Sequence, residues 1–229
     1  MVSRRSFVHA VGAGSAGLLV GDLVSARGRE ALAAGAESPT RTGNASSLIR
    51  VDSNENPSGP AAAVLDAMRA MFSESNRYPD DTDVELRAAI ARAHRVRPEE
   101  VLLGCGSGEV LRYVTEAYTS PQRALVTAAP TFEIPTRTAT RLGAPVREVR
   151  VDTRLHLDLD GMIAAAPGAG LVFFCNPNNP TGTVYGKSDT LAFVRGVHQR
   201  APDAAVLVDE AYFEYVNEPS YDTLIPQAI

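Results

Sequence analysis

Residues 171–187 read LVFFCNPNNPTGTVYGK. The first five are apolar and free of glycine and proline, the pattern of a strand buried on both faces. The next seven, Asn176 to Gly182, hold three asparagines and two prolines. Proline restricts the backbone and removes donors, so the amides of Asn176, Asn178 and Asn179 are held with little entropy left to lose on binding. A loop that merely turns does not need this composition. The stretch closes on Lys187, the only lysine in the chain.

The pattern repeats on either side of it. Apolar runs at 101–105, 124–129, 146–151 and 205–210 alternate with helical periodicities at 109–118, 132–143, 159–166 and 188–200. The expected class is therefore α/β, a mostly parallel sheet flanked by helices, with its strands covered on both faces. Upstream, Pro60 suits the first turn of a helix over 61–72. Thr82 to Glu85 reads as a capping box opening a second helix over 84–95, and Ser188 as the N-cap of the helix over 188–200.

With 229 residues and 45% hydrophobic content the chain suits one large domain, or one domain with an appendage. A net charge of −5 argues against a nucleic-acid surface. Two cysteines, Cys105 and Cys175, are too few for a disulfide scaffold and lack metal-ligand spacing, and are read as half-buried thiols. At the N-terminus Ser3-Arg4-Arg5-Ser6-Phe7 precedes a short apolar run, Ala10 to Val20, with small-residue sites at Ala33 and Ala36. Those three parts in order read as a twin-arginine export signal over 1–36, placing the mature protein in the periplasm or outside the cell, with no membrane anchor once the signal is removed. Gly12-x-Gly14-x-x-Gly17 has the spacing of a dinucleotide fingerprint but no strand before it, and is rejected. Residues 37–48 are a polar linker, 49–80 an N-terminal arm, and 81–229 the sheet domain.

Ligands of parallel α/β sheets bind beyond the carboxyl ends of the strands, and four such ends carry unusual residues. Gly104 to Glu109, GCGSGE, joins a strand to a helix start, where the amides of Ser107, Gly108 and Glu109 suit a phosphate; a mere tight turn is an equal reading. Phe132 follows the next strand and has the shape to lie on a planar ligand or to pack in the core. Asn179 lies in the Asn-rich loop. Asp209 ends an apolar strand, with Tyr212 three residues on; a carboxylate there needs a partner, either a protein cation or cap, or a ring nitrogen held protonated.

Together, NPNNPTG followed by VDEAY at 208–212, with SNENPSGP, RYPD, GCGSGE and APTF, resemble the fold-type I pyridoxal-phosphate aminotransferases of class I/II, in their histidinol-phosphate aminotransferase-like branch. The resemblance covers about residues 49–220. It implies pyridoxal 5′-phosphate as cofactor and the large domain of that fold. Ser107, Gly108 and Glu109 are then expected to cradle the phosphate, Phe132 to stack on the ring, and Asn179 and Tyr212 to bond its phenolic oxygen. Asp209 is expected to pair with the ring nitrogen, and Tyr78 to reach the phosphate of a partner subunit in a homodimer. The implied partners are a small-molecule amino donor and a 2-oxo acid.

In the resembled family the Schiff-base lysine lies on the strand after the DEAY strand, beyond Ile229, so no catalytic residue is assigned and the chain is expected to be incomplete, truncated before that lysine. Lys187, beside a helix start, is not expected to replace it. In the family's sheet order the absent strands fall between those at 101–105 and 171–175, so a gap is expected there. The alternatives are a non-catalytic remnant or cofactor-binding pseudoenzyme, and a pyridoxal-phosphate-dependent amino acid decarboxylase.

Overall fold

A computed structural model of the chain describes residues 53–56 and 58–228. The export signal, the linker, the rejected glycine motif and the first residues of the arm lie outside the described residues. The chain divides into two compact units between Ser75 and Asn76. In the first, α1 (Ala62–Ala70) starts after an extended Ala61 at the N-cap, so Pro60 lies just ahead of the helix instead of within its first turn. A 3-10 turn, Phe72–Glu74, follows.

The second unit begins with α2 (Asp80–His94). This helix starts earlier than the capping box at Thr82 implies. Pro79 takes the N-cap position and its carbonyl accepts the Asp83 amide at 2.8 Å, so Thr82 is already helical. Arg95, with φ +58°, ends the helix in the left-handed conformation. Then follow α3 (Ser107–Tyr118), β1 (Ala124–Ala129), α4 (Ile134–Arg141), β2 (Val146–Arg150), α5 (Leu159–Ala165), β3 (Ala169–Cys175), α6 (Lys187–Arg200) and β4 (Ala205–Asp209).

Among the described residues the sheet has four parallel strands in the order β2-β1-β3-β4. Strand period two sends alternate side chains to opposite faces. Val126, Ala128, Val172 and Phe174 meet Met162 of α5 and Phe193 and Val197 of α6 on one face. Leu125, Leu171, Phe173 and Cys175 meet Leu111 of α3 and Ala139 of α4 on the other. Phe174 lies 5.0 Å, centroid to centroid, from Phe193. Each fully buried side chain of this size contributes about 1.5–3 kcal/mol, and Phe174→Ala is the kind of change that costs about 3–5 kcal/mol. At Gly170 a Cβ would meet the Tyr118 carbonyl oxygen at 1.9 Å, so only glycine lets β3 pass the end of α3.

Two strand expectations are corrected. Only β3 is buried along its whole length; β2 exposes Arg147, Glu148 and Arg150 and forms a charged edge. Val101 to Gly104 is irregular, because no strand among the described residues pairs with it, and an unpaired strand has no ladder to hold it. β4 forms the other edge of the sheet. The start of α6 also differs: Gly186 is the N-cap and Ser188 lies within the helix.

Candidate functional site

The carboxyl ends of β1, β3 and β4 lie side by side, and the loops leaving them are laced together. Asn176, directly after β3, is 2% exposed, and its amide N–H donates to the Asp209 carbonyl at 2.9 Å. Its side chain spans the loop: Nδ2 donates to the Tyr185 carbonyl at 3.0 Å and Oδ1 accepts the Tyr185 amide at 2.9 Å. Asn178, equally buried, binds the neighbouring strand end. Its Oδ1 accepts from Thr131 Oγ1 at 2.6 Å, and its Nδ2 donates to the Pro130 carbonyl at 3.2 Å and to Thr181 Oγ1 at 2.8 Å. The bonds Asn176–Pro177 and Asn179–Pro180 are cis. Two of the three asparagines are therefore consumed by architecture. Asn179 differs: it is half-buried, and its side-chain amide makes no hydrogen bond to a described residue.

Asp209 closes β4, paired in register with Cys175 and 8% exposed. Its Oδ1 accepts the Ala211 amide at 3.1 Å, and no cation among the described residues forms an ion pair with it. Burial pushes its carboxyl above the ordinary range, and the Ala211 bond only partly opposes this. A charge in that position calls for a cationic or protonated partner. Cys175 beside it is an inert thiol: burial, then the Asp209 charge, push it up to about 12. Neither cysteine is half-buried as expected, for Cys175 is buried and Cys105 exposed, and both are free.

Phe132, after β1, is half-buried and packs against the Leu111–Phe173 cluster. Tyr212, after β4, is half-buried at the start of a 3-10 turn, Phe213–Tyr215. With strands about 4.8 Å apart, the ends of β1 and β4 are separated by roughly 10 Å, the span of a small planar ligand.

The start of α3 adjoins the β1 end, because a Cβ at Gly108 would sit 3.1 Å from Ile134 Cδ1 of α4. Gly106, with φ +75°, makes the turn into the helix. Ser107 and Gly108 occupy the first two helical positions, whose amides have no intrahelical acceptor. The Glu109 amide turns back to the Gly106 carbonyl at 3.3 Å, so the open donors are those of Ser107 and Gly108. The Glu109 carboxylate instead fastens the turn, accepting the Cys105 amide at 2.7 Å and the Tyr113 hydroxyl at 3.0 Å.

The sequence profile of the family described as aminotransferase class I and II matches residues 46–227. The chain belongs to that family. Histidinol-phosphate aminotransferase 1 of Bacillus anthracis is 37% identical over 182 residues, which are 79% of this chain and 48% of that protein. The histidinol-phosphate aminotransferase of Bacillus velezensis is 34% identical over 180 residues, covering 78% and 49%. A solved chain from Erwinia carotovora atroseptica superposes with a TM-score of 0.73 at 31% identity, over 78% of this chain and 52% of its own. The Sinorhizobium meliloti histidinol-phosphate aminotransferase, solved in complex with pyridoxal 5′-phosphate, superposes with a TM-score of 0.69 at 25% identity, over 74% and 45%. The chain thus spans about half the length of the curated relatives it matches.

The sequence also singles out Tyr78 and Lys187. Tyr78 is 91% exposed. Lys187 is the first residue of α6, and its Nζ pairs with Asp222. Sequence reasoning missed Thr131 and Glu210, whose hydrogen-bond partners are distant in sequence and leave no periodic signal.

Proposed function

We propose that this chain forms the pyridoxal 5′-phosphate-binding part of an aminotransferase of the histidinol-phosphate type, exchanging an amino group between an amino acid or amine and a 2-oxo acid. The observation that carries the proposal is Asp209, a buried carboxylate at a strand end with raised basicity and no cation among the described residues paired to it. A protonated pyridine nitrogen is the partner such a group suits.

The residues present fit that cofactor. Asp209 holds the proton on the ring nitrogen, and Asn179 and Tyr212 orient the ring through its phenolic oxygen. Phe132, backed by the core, offers a flat apolar surface to one face. The Ser107 and Gly108 amides, at the positive end of α3, receive the phosphate. Glu109 shapes the turn through its carboxylate instead of contributing an amide. When bound, the cofactor supplies an electron sink for bonds broken at the amino carbon, and the proton held by Asp209 maintains that property. Lys187, ion-paired with Asp222, is assigned no part in this chemistry.

The same proposal includes a homodimer, supported by the exposure of Tyr78, and export by the twin-arginine route, supported by Arg4 and Arg5 ahead of an apolar run. Residues 49–80 act as the arm and 81–229 as the cofactor-binding domain. Sedimentation and N-terminal sequencing of the mature protein check those two parts; a monomer, or an N-terminus left at Met1, rejects the corresponding one.

The binding test is a titration of the purified chain with pyridoxal 5′-phosphate, followed by absorbance and equilibrium dialysis. Saturable binding at one site per chain, weakened about 10- to 100-fold in Asp209→Asn, is the expected result. Binding that ignores Asp209 removes the basis of the proposal.

A further inference from the structure

The residue after Asp209 points to a different kind of contribution. Glu210 Oε2 accepts the Thr223 hydroxyl at 2.6 Å, and its Oε1 accepts the Leu224 amide at 2.9 Å. The Tyr221 hydroxyl lies 3.5 Å from the same Oε1 and 3.4 Å from the Asn176 carbonyl. Asn176 in turn donates its amide to the Asp209 carbonyl at 2.9 Å. The end of β4, the Asn-rich loop and the segment 220–224 therefore close into one hydrogen-bonded circuit.

A second fastening lies at the other end of that segment. The Lys187 amide donates to the Ser220 carbonyl at 2.9 Å, and Lys187 Nζ pairs with Asp222. Ser220 packs so tightly on Gly186 that a Cβ there would meet it at 3.0 Å. Leu224, 7% exposed, buries the far end. Residues 220–224 thus form a strap, pinned at the start of α6 and at the end of β4, whose Tyr221 hydroxyl reaches the Asn176 carbonyl.

The strap touches a part of the site whose side chain has little support of its own. Among the described residues the Asp209 carboxylate has a single hydrogen bond, accepted from the amide of Ala211, the residue just beyond Glu210. Rotation of the 209–211 corner is opposed by the anchored Glu210 side chain, and displacement of the Asn-rich loop by the Tyr221 hydroxyl on the Asn176 carbonyl. Burial, then the charge of Glu210, hold the Tyr221 phenol well above its ordinary range, so it stays a neutral donor at any physiological pH.

We propose that Glu210 is a positioning residue: through the strap 220–224 it fixes the Asp209 carboxylate and the Asn176–Asn179 loop in the geometry that receives the ring. The consequence for affinity rests on the cofactor reading of Asp209, whereas the mechanical coupling does not.

The test compares the full chain with its Tyr221→Phe, Glu210→Ala and Glu210→Gln variants by amide hydrogen exchange, and by pyridoxal 5′-phosphate titration. Tyr221→Phe removes one hydroxyl and keeps the packing, so it serves even if Glu210→Ala does not fold. The expected result is exchange at the Asn176 amide about 3- to 10-fold faster in Tyr221→Phe and Glu210→Ala, with Glu210→Gln intermediate, and a dissociation constant raised by a similar factor. Faster exchange at Leu224 with none at Asn176 overturns the proposal, because the strap is then only a local fastening. Unchanged affinity in a variant whose Asn176 exchange has risen overturns it as well. A parent chain that binds no pyridoxal 5′-phosphate rejects the cofactor reading, and the Asn176 exchange then decides the coupling alone.

Discussion

The loop after β3 and the turn before α3 both offer polar groups near the same strand ends, and they are held in opposite ways. In the first, Asn176 and Asn178 are buried and spend nearly every side-chain donor and acceptor inside the protein. The second, Gly104 to Gly106, is exposed and tied by a Gly106 amide to Gly104 carbonyl bond of 2.8 Å and by the Glu109 carboxylate. A loop wired into the core has its shape before any ligand arrives. A surface turn held by one carboxylate does not carry that assurance. Preorganisation at this site is therefore concentrated at the ring end, around Asn179 and Asp209, and not at the phosphate end.

Asn178→Ala is expected to break the comparison most severely. It leaves the Pro130 carbonyl and the Thr131 and Thr181 hydroxyls without their amide partner, at a cost of about 3 kcal/mol. For a chain of this size that lowers the melting temperature by roughly 6–12 °C, read by thermal denaturation. A loss of only a degree or two would mean that the loop is not wired to the core in this way.

Asp209→Asn is expected to separate stability from binding. The folded carboxyl titrates above its ordinary value, so the folded state holds its proton more tightly than the unfolded chain does. Stability is then fully present below the ordinary carboxylate range and falls as pH rises through the raised value. Asparagine has no such loss, so the free variant becomes the more stable protein at neutral pH, and the gap closes in acid. The same change removes a charged hydrogen bond to the ring nitrogen of the proposed cofactor, weakening pyridoxal 5′-phosphate by about 10- to 100-fold. Melting curves across pH, paired with dialysis at neutral pH, read both halves. A variant less stable than the parent at neutral pH contradicts the burial argument.

Asn179→Ala is the milder counterpart in the same loop. Its side-chain amide bonds to no described residue, so stability is expected to stay within about 0.5 kcal/mol of the parent, as for a surface change. Affinity for pyridoxal 5′-phosphate falls about 3- to 10-fold through the loss of one hydrogen bond. Equal behaviour of Asn178→Ala and Asn179→Ala would erase the division of labour within the loop.

Much of this arrangement was legible in the residues, and the failures share a cause. Leu171 to Cys175 is apolar throughout and is buried throughout, because both of its faces meet helices. Asp209 stands out because a carboxylate ends an otherwise apolar strand. The segment at 101–105 has the same local pattern but is no strand, since strand formation is settled by a neighbour and not by the segment itself. Helix N-caps moved by three residues, from Thr82 to Pro79, and by two, from Ser188 to Gly186, where a backbone bond to a preceding or distant carbonyl outweighed the side-chain cap. The links Thr131 to Asn178, 47 residues apart, and Glu210 to Thr223 and Leu224, 13 and 14 apart, are products of tertiary structure. No periodicity announces them.

The smallest expected effect tests the weaker end of the comparison. The Glu109 carboxyl is held below its ordinary range, first by the Cys105 amide and then by the Tyr113 hydroxyl. A depressed carboxyl contributes stability above its unfolded value, and that contribution is lost as pH falls through the folded value. Glu109→Gln is therefore expected to lower the melting temperature slightly at neutral pH and not at all in acid. Two effects on anion binding oppose each other: the turn is less well fastened, but a negative charge beside the Ser107 and Gly108 amides is gone. At an exposed site the turn's own bonds are weak and the charge acts over the full distance to the ligand, so the second wins at low salt. Affinity for pyridoxal 5′-phosphate is expected to rise by about twofold and to return to the parent's value at high ionic strength. A titration at two salt concentrations reads the difference. A fall in affinity at both would mean that this turn, like the Asn-rich loop, is preorganised after all, and that the contrast between the two is one of exposure alone.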